Sequence, residues 1–312
     1  MVKHEEFTFD SRDMKTKIHA EKYVPRGEVK ACLIVAHGMG EHFGCYNEMG
    51  KFFAEQGVLV AGCDHLGHGK TASKESDFGY FCEQDPATVV VRDVHRLKKI
   101  IQEDYPDLPF FVMGHSMGSF IIRNYIEMYG TGIKGAILMG TGDMNELKIF
   151  AGKVFMDILT AIHGGHYISR FITAMSLGGY SKNPRSEEYP FRWGCARKES
   201  QERKAKDPLC GHEFTLNGYR TICEFLERAN AASRMRDIPK DLPILLVSGQ
   251  EDPVGGYGKL VDKVANRFRS QGMTDVTVKI YPEDRHEVYN EADRFDAFLD
   301  ILHFAEGVMA RS

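Results

Sequence analysis

The stretch from Phe110 to Phe120, FFVMGHSMGSF, constrains this chain most. An apolar run of strand length stops at Gly114-His115-Ser116-Met117-Gly118, and the apolar residues that follow, Phe120, Ile121, Tyr125, Ile126 and Met128, recur at helical spacing. A chain that reverses from strand to helix within a few residues holds the residue at the turn in a strained conformation, and Gly114 and Gly118 must lack side chains. Ser116 stands at that turn, so its hydroxyl is lifted above the strand ends as a candidate nucleophile. The amide of Met117, at the helix start, is one half of a candidate oxyanion hole. GxSxG alone is a weak motif in a chain of 312 residues with 31 glycines; its strand-turn-helix setting carries the reading.

The flanking sequence repeats the strand-helix rhythm. Phe7 to Asp10 and Lys17 to Tyr23 alternate apolar and polar residues about Ser11-Arg12-Asp13 and predict a hairpin. Ala31 to Ala36, Val58 to Cys63, Gly135 to Met139 and Leu242 to Ser248 are apolar throughout, as strands buried on both faces of a parallel sheet are. Helices are predicted over Tyr46 to Gln56, Ala87 to Tyr105, Tyr257 to about Gln271 and Ala292 to about Met309, with a last strand from Val276 to Tyr281. The fold class is therefore α/β, a mostly parallel doubly wound sheet.

From about Gly142 to Ile238 the rhythm breaks into helices with polar connections, which predicts a core of residues 1–142 and 239–312 interrupted by a helical cap, residues 143–238. Its first helix, Glu146 to Ile162, is apolar on more than one face. Packing against the core is the plainer account; a lid facing lipid or an acyl chain, with transient contact to a membrane surface, is the sharper one. Lys182, Arg185, Arg192, Arg197, Lys198, Arg203, Lys204 and Lys206 are interleaved with Glu187, Glu188, Glu199 and Glu202, and read as a solvated mixed-charge face.

Lys plus Arg total 40 against 44 Asp plus Glu, a net charge of −4 that offers nucleic acid no electrostatic footprint. Seven scattered cysteines form no CxxC pair and no metal-like spacing, and read as reduced thiols with neither metal nor cofactor. The N-terminus has no apolar leader and the longest apolar runs are about six residues, so a cytoplasmic protein is expected.

HGMGEH at 37–42, DHLGHG at 64–69, GHSMGS at 114–119, SGQEDPVGG at 248–256 and RHEVYNE at 285–291, in that order, resemble the monoglyceride lipase and lysophospholipase-like branch of the α/β-hydrolase superfamily, especially its bacterial members. The similarity runs over nearly the whole chain and includes Asp207-Pro208-Leu209-Cys210 in the cap. One departure is Ser119, where that family usually has glycine.

In that fold the chain order is nucleophile, acid, then histidine, each on a loop after a strand, and Ser116, Asp252 and His286 satisfy it. Position selects among thirteen histidines: His115 flanks the serine on its own backbone, and His65 and His68 precede it. Glu251 and Asp284 are rivals for the acid, each otherwise an exposed charge, while Asp252 lies deepest in its loop. The second oxyanion donor falls to the Met39 amide, in the loop after an earlier strand. The resemblance implies the same triad, the same two amides and an acyl pocket under the cap. The expected function is hydrolysis of single-chain lipid esters, monoacylglycerol ahead of lysophospholipid, through an acyl-serine. An amide or peptide hydrolase, a small-ester esterase and a non-catalytic binding protein are the alternatives; oligomeric state is not legible.

Overall fold

The computed structural model describes residues 2–180 and 192–311; Lys182, Arg185, Glu187 and Glu188 lie outside them. The uniformly apolar runs form the middle of the sheet. β3 (Ala31–Ala36), β4 (Val58–Cys63), β5 (Phe110–His115), β6 (Gly135–Met139) and β7 (Ile244–Gly249) are buried at every residue. The edges differ. β1 (Lys3–Asp10) and β2 (Lys17–Val24) form the antiparallel hairpin at one side, and β8 (Val276–Tyr281), half-buried with alternating exposure, closes the other.

The strands lie in the order β1-β2-β4-β3-β5-β6-β7-β8, parallel from β4 onward. The chain goes from β3 outward to β4 and then returns to the far side of β3 as β5, so a crevice opens at the carboxyl ends of β3 and β5. The loops bearing Met39 and Ser116 face each other there. α1 (Asn47–Glu55) and α10 (Arg294–Ala310) cover one face of the sheet, with Met49, Phe53, Phe298 and Ile301 in its core. α2 (Pro86–Asp104), α3 (Met117–Tyr129) and α9 (Lys259–Ser270) cover the other. α9 starts two residues later than its periodicity predicts because Tyr257 and Gly258 carry φ of 57° and 88°, values no helix interior accepts.

Between β6 and β7 run α4 (Glu146–His163), α5 (Arg170–Leu177), α6 (Lys198–Lys206), α7 (Leu216–Asn230) and the single turn α8 (Ala232–Met235). Core packing does not account for α4. It buries only Ile149 and Met156, while Leu147 is 78% exposed, and Phe150, Ile158 and Ile162 also face solvent. The solvated mixed-charge reading holds for Lys198, Glu199, Arg203 and Lys206, which are exposed, although Arg203 also donates to Asn290 Oδ1 at 2.7 Å. It fails for Arg192, which is buried, and for Lys204, whose half-buried side chain is drawn inward by Glu41 and Glu287. Among the described residues no helix is long and apolar enough to cross a membrane.

Candidate active site

Ser116 sits between β5 and α3 with φ 54° and ψ −121°, a conformation that side-chain-bearing residues adopt only when their surroundings enforce it. The enforcement is visible. Its N–H donates to Met139 O at 2.9 Å, and its carbonyl accepts from Ser119 N at 2.8 Å and Ser119 Oγ at 2.6 Å. A Cβ at Gly118 would lie 2.0 Å from the Ala36 carbonyl oxygen, and one at Gly114 2.1 Å from that of Gly118, so neither position admits a side chain. Ser119, the departure from the family pattern, is fully buried and adds a hydrogen bond to the strained turn.

The β3 loop reaches the same point: a Cβ at Gly38 would stand 3.1 Å from Ser116 Cβ. Among the described residues neither the Met39 nor the Met117 amide has a backbone or side-chain acceptor, which leaves both N–H groups free for a ligand.

Asp252, after β7, and His286, after β8, are joined by a 3.0 Å hydrogen bond between Nδ1 and Oδ1. Asp252 is held in turn by Val254 N at 2.8 Å and Ser248 Oγ at 3.1 Å. A carboxylate only accepts, so Nδ1 carries the proton and Nε2 a lone pair. Burial works against charge on both residues, raising the Asp252 pKa and lowering that of His286, but their mutual attraction wins: Asp252 is held below the usual carboxylate range and His286 above the usual histidine. His286 Nε2 is buried without a partner. The ring rests between His115 and Trp193, at centroid distances of 4.8 and 5.2 Å. It lies beside residue 140, where a Cβ would be 3.0 Å from the ring, next to the Met139 carbonyl that binds Ser116. Ser116 Oγ and His286 Nε2 make no direct hydrogen bond, as is common before substrate binds.

The rivals for the acid separate clearly. Glu251 is exposed and does not bond to His286. Asp284, expected to be exposed, is buried instead; burial and the neighbouring Asp293 push its pKa up to about 8, and it too makes no bond to His286. His65 and His68 are packed with His37 and held neutral, their pKa values lowered to about 3 and about 4 chiefly by burial.

Sequence reasoning missed Glu41. Its carboxylate, 1% exposed, accepts from Gly38 N and Tyr46 OH at 2.6 Å, Tyr289 OH at 2.8 Å, His115 Nδ1 at 3.0 Å and Lys204 Nζ at 3.1 Å. Burial raises its pKa, but Lys204 and His115 hold it well below the ordinary range. Glu41 thus ties the Met39 loop, the Ser116 loop and the His286 loop together. An acidic residue inside a glycine-rich loop directly after a buried strand was the available signal.

The sequence profile of the family described as Serine aminopeptidase, S33 matches residues 27–293. The chain is 30% identical to the human protein named monoglyceride lipase over 282 residues, covering 86% of this chain and 78% of that one. It is 26% identical to the monoacylglycerol lipase of Mycolicibacterium smegmatis over 286 residues, 89% of each chain. A thermostable carboxyl esterase from Bacillus coagulans, solved in complex with glycerol, superposes with a TM-score of 0.89 at 30% identity over 99% of both chains.

Proposed function

Because this chain belongs to the serine aminopeptidase, S33, family and is a serine hydrolase of the α/β-hydrolase fold, we propose that it cleaves single-chain lipid esters, monoacylglycerols first, with Ser116, His286 and Asp252 as its triad. Ser116 Oγ attacks the ester carbonyl while His286 Nε2 takes its proton; Asp252 fixes the tautomer and balances the imidazolium. The Met39 and Met117 amides receive the oxyanion. His286 returns the proton to the leaving alcohol, and water, activated by the same nitrogen, releases the acid from the acyl-serine. The observation that carries this reading is the buried, unpartnered His286 Nε2, locked in tautomer by Asp252 beside the strained Ser116 turn.

The relatives named monoacylglycerol and monoglyceride lipase supply the substrate class. Two features of this chain support it. Residues 143–238 act as a cap whose α4 and α5 expose Leu147, Phe150, Ile162, Phe171 and Met175, a surface suited to transient contact with a lipid layer. Two of the described cap cations are engaged elsewhere, Lys204 by Glu41 and Glu287 and Arg203 by Asn290, which supports an uncharged glycerol head. The free thiols among the described residues support a reducing, cytoplasmic setting.

The test is initial-rate hydrolysis of p-nitrophenyl esters from short to long acyl chains, alongside a monoacylglycerol and an aminoacyl anilide, for the native protein and Ser116→Ala. Rates that peak at medium or long chains and fall by about 10⁴-fold or more in the variant are expected. Activity on acetate alone discards the lipid, and faster anilide cleavage discards the ester.

A further inference from the structure

Far from each other in sequence, two short turns meet beside the Met39 loop. His42 precedes the 3₁₀ turn Phe43–Tyr46, and the N–H of Cys45 donates to the His42 carbonyl at 3.1 Å. Asp207 ends α6, and the N–H of Cys210 donates to the Asp207 carbonyl at 3.1 Å. Each turn closes i to i+3, which sets its two side chains on one side. The turns are held face to face by Gly211 N donating to Gly40 O at 2.8 Å. One donor atom from each of His42, Cys45, Asp207 and Cys210 lies within 4.8 Å of the other three.

We propose that these four side chains form a structural zinc site that fastens the segment between β6 and β7 to the loop carrying Met39. Two thiolates, an imidazole and a carboxylate are a donor set for tetrahedral zinc, and their number leaves no open position for catalysis. The Cys45 and Cys210 sulfurs are 3.6 Å apart. Two thiolates on one tetrahedral zinc stand at about 3.8 Å, from bonds of about 2.3 Å, whereas a disulfide requires about 2.0 Å. A disulfide would also have no use for the imidazole and carboxylate, which meet at 2.9 Å beside the sulfurs.

Charge is compatible with this assignment. Two thiolates and a carboxylate leave one negative charge around a divalent ion. Binding forms two Zn–S bonds, one Zn–N bond and one Zn–O bond in place of the ion's bonds to water. The two thiol protons pass to water, the imidazole binds as the neutral ring with its one N–H on the nitrogen away from the metal, and no electron changes hands. His42 and Asp207, bonded to each other at 2.9 Å, exchange that bond for the metal. A second group of donors, Glu6, His19 and Glu21, differs in kind: it contains no sulfur and only three members, and outside groups, Lys70, Asp64 and His4, hold them. In the four-residue group, by contrast, the sulfurs meet each other and the imidazole Nε2 meets the carboxylate. Spacing along the chain hides the four-residue site because neither turn pairs two cysteines.

The full chain, purified under reducing conditions and stripped with a chelator, is titrated with cobalt(II) and then zinc(II). One equivalent of cobalt giving thiolate-to-metal charge transfer and tetrahedral visible bands, displaced by one equivalent of zinc, is expected. Cys45→Ser with Cys210→Ser lowers the zinc affinity by roughly a hundredfold or more, while Cys223→Ser, which alters a half-buried cysteine outside the cluster, leaves it unchanged. Circular dichroism of the apo variants separates lost ligands from lost fold, and the cobalt spectrum of the unaltered chain stands without any variant. Three results overturn the proposal: cobalt binding without sulfur charge transfer, zinc affinity equal in the double variant and the native chain, or a Cys45–Cys210 disulfide in the chelated protein that survives reductant.

Discussion

The segment between β6 and β7 has two halves built on opposite principles. Its first half, α4 and α5, is apolar and barely buried: Phe171 is 64% exposed and α4 places two residues in the core. Its second half, around α6 and residues 207–212, is polar and lies mostly at the surface, burying only Ser200 of α6, yet it is anchored by side chains that reach the core. There Lys204 bridges Glu41 and Glu287, Arg203 reaches Asn290, and His42 holds Asp207. Hydrophobicity would place the first half inside and the second outside; the second does lie mostly outside, and the first does not go in. The difference teaches that an apolar face left open meets something other than this chain's own core, while single charged side chains such as Lys204 reach inward from a solvated helix to tie the loops bearing Glu41 and Glu287 together.

The largest expected effect separates the halves by stability. Lys204→Met strips the shared cation from two buried carboxylates, Glu41 and Glu287, and is expected to cost about 3–5 kcal/mol. Leu147→Ser on α4 removes an exposed side chain and is expected to change stability by no more than about 0.5 kcal/mol. Urea denaturation of both variants measures the gap; equal losses would mean that the first half is packed as firmly as the second.

Much of this arrangement was legible before any coordinates. The five central strands announce themselves because a strand covered on both faces is almost wholly apolar. Ser116, Asp252 and His286 stand out because each follows a strand, the first two central strands and the last the edge strand β8, in an order one fold uses. The anchored half was not legible. KESQERKAK reads as solvated because its charges are judged by type; only the i, i+4 placement of Ser200 and Lys204 on one face of α6 marks a buried side. Glu41 and the partners of His42 were hidden for another reason: their contacts join loops up to 248 residues apart, and spacing along a chain carries no record of which loops meet. For α4 the pattern was read correctly as apolar on several faces, but periodicity cannot say whether core or lipid covers a face.

A smaller effect sharpens the apolar side. Full burial of a large aliphatic or aromatic side chain is worth about 1.5–3 kcal/mol, so with each side chain entering the lipid about halfway, Leu147→Ser combined with Phe171→Ser should lower partitioning onto monoacylglycerol-containing vesicles by about tenfold to a hundredfold. Hydrolysis of a short soluble p-nitrophenyl ester should be unchanged, because neither residue touches Ser116, His286 or Asp252. Unchanged vesicle binding would assign this exposed surface to another partner, such as a second copy of the chain.

The smallest expected effect lies in the pH profile and tests whether the anchored half reaches the chemistry. Burial pulls the His286 pKa down, Asp252 more than reverses this, and the negative charges of Glu287 and Glu41 push it further up. A general base must be neutral, so kcat/KM should fall on the acid side through a pKa above the ordinary histidine value of about 6.5. Lys204 offsets both glutamates. Removing it in Lys204→Met, measured well below that variant's melting temperature, leaves more negative charge facing the imidazole and should move the acid limb to higher pH. The Leu147→Ser, Phe171→Ser variant should keep the native limb. An unmoved limb in Lys204→Met would show that this lysine holds the loops in place without setting the electrostatics of the base.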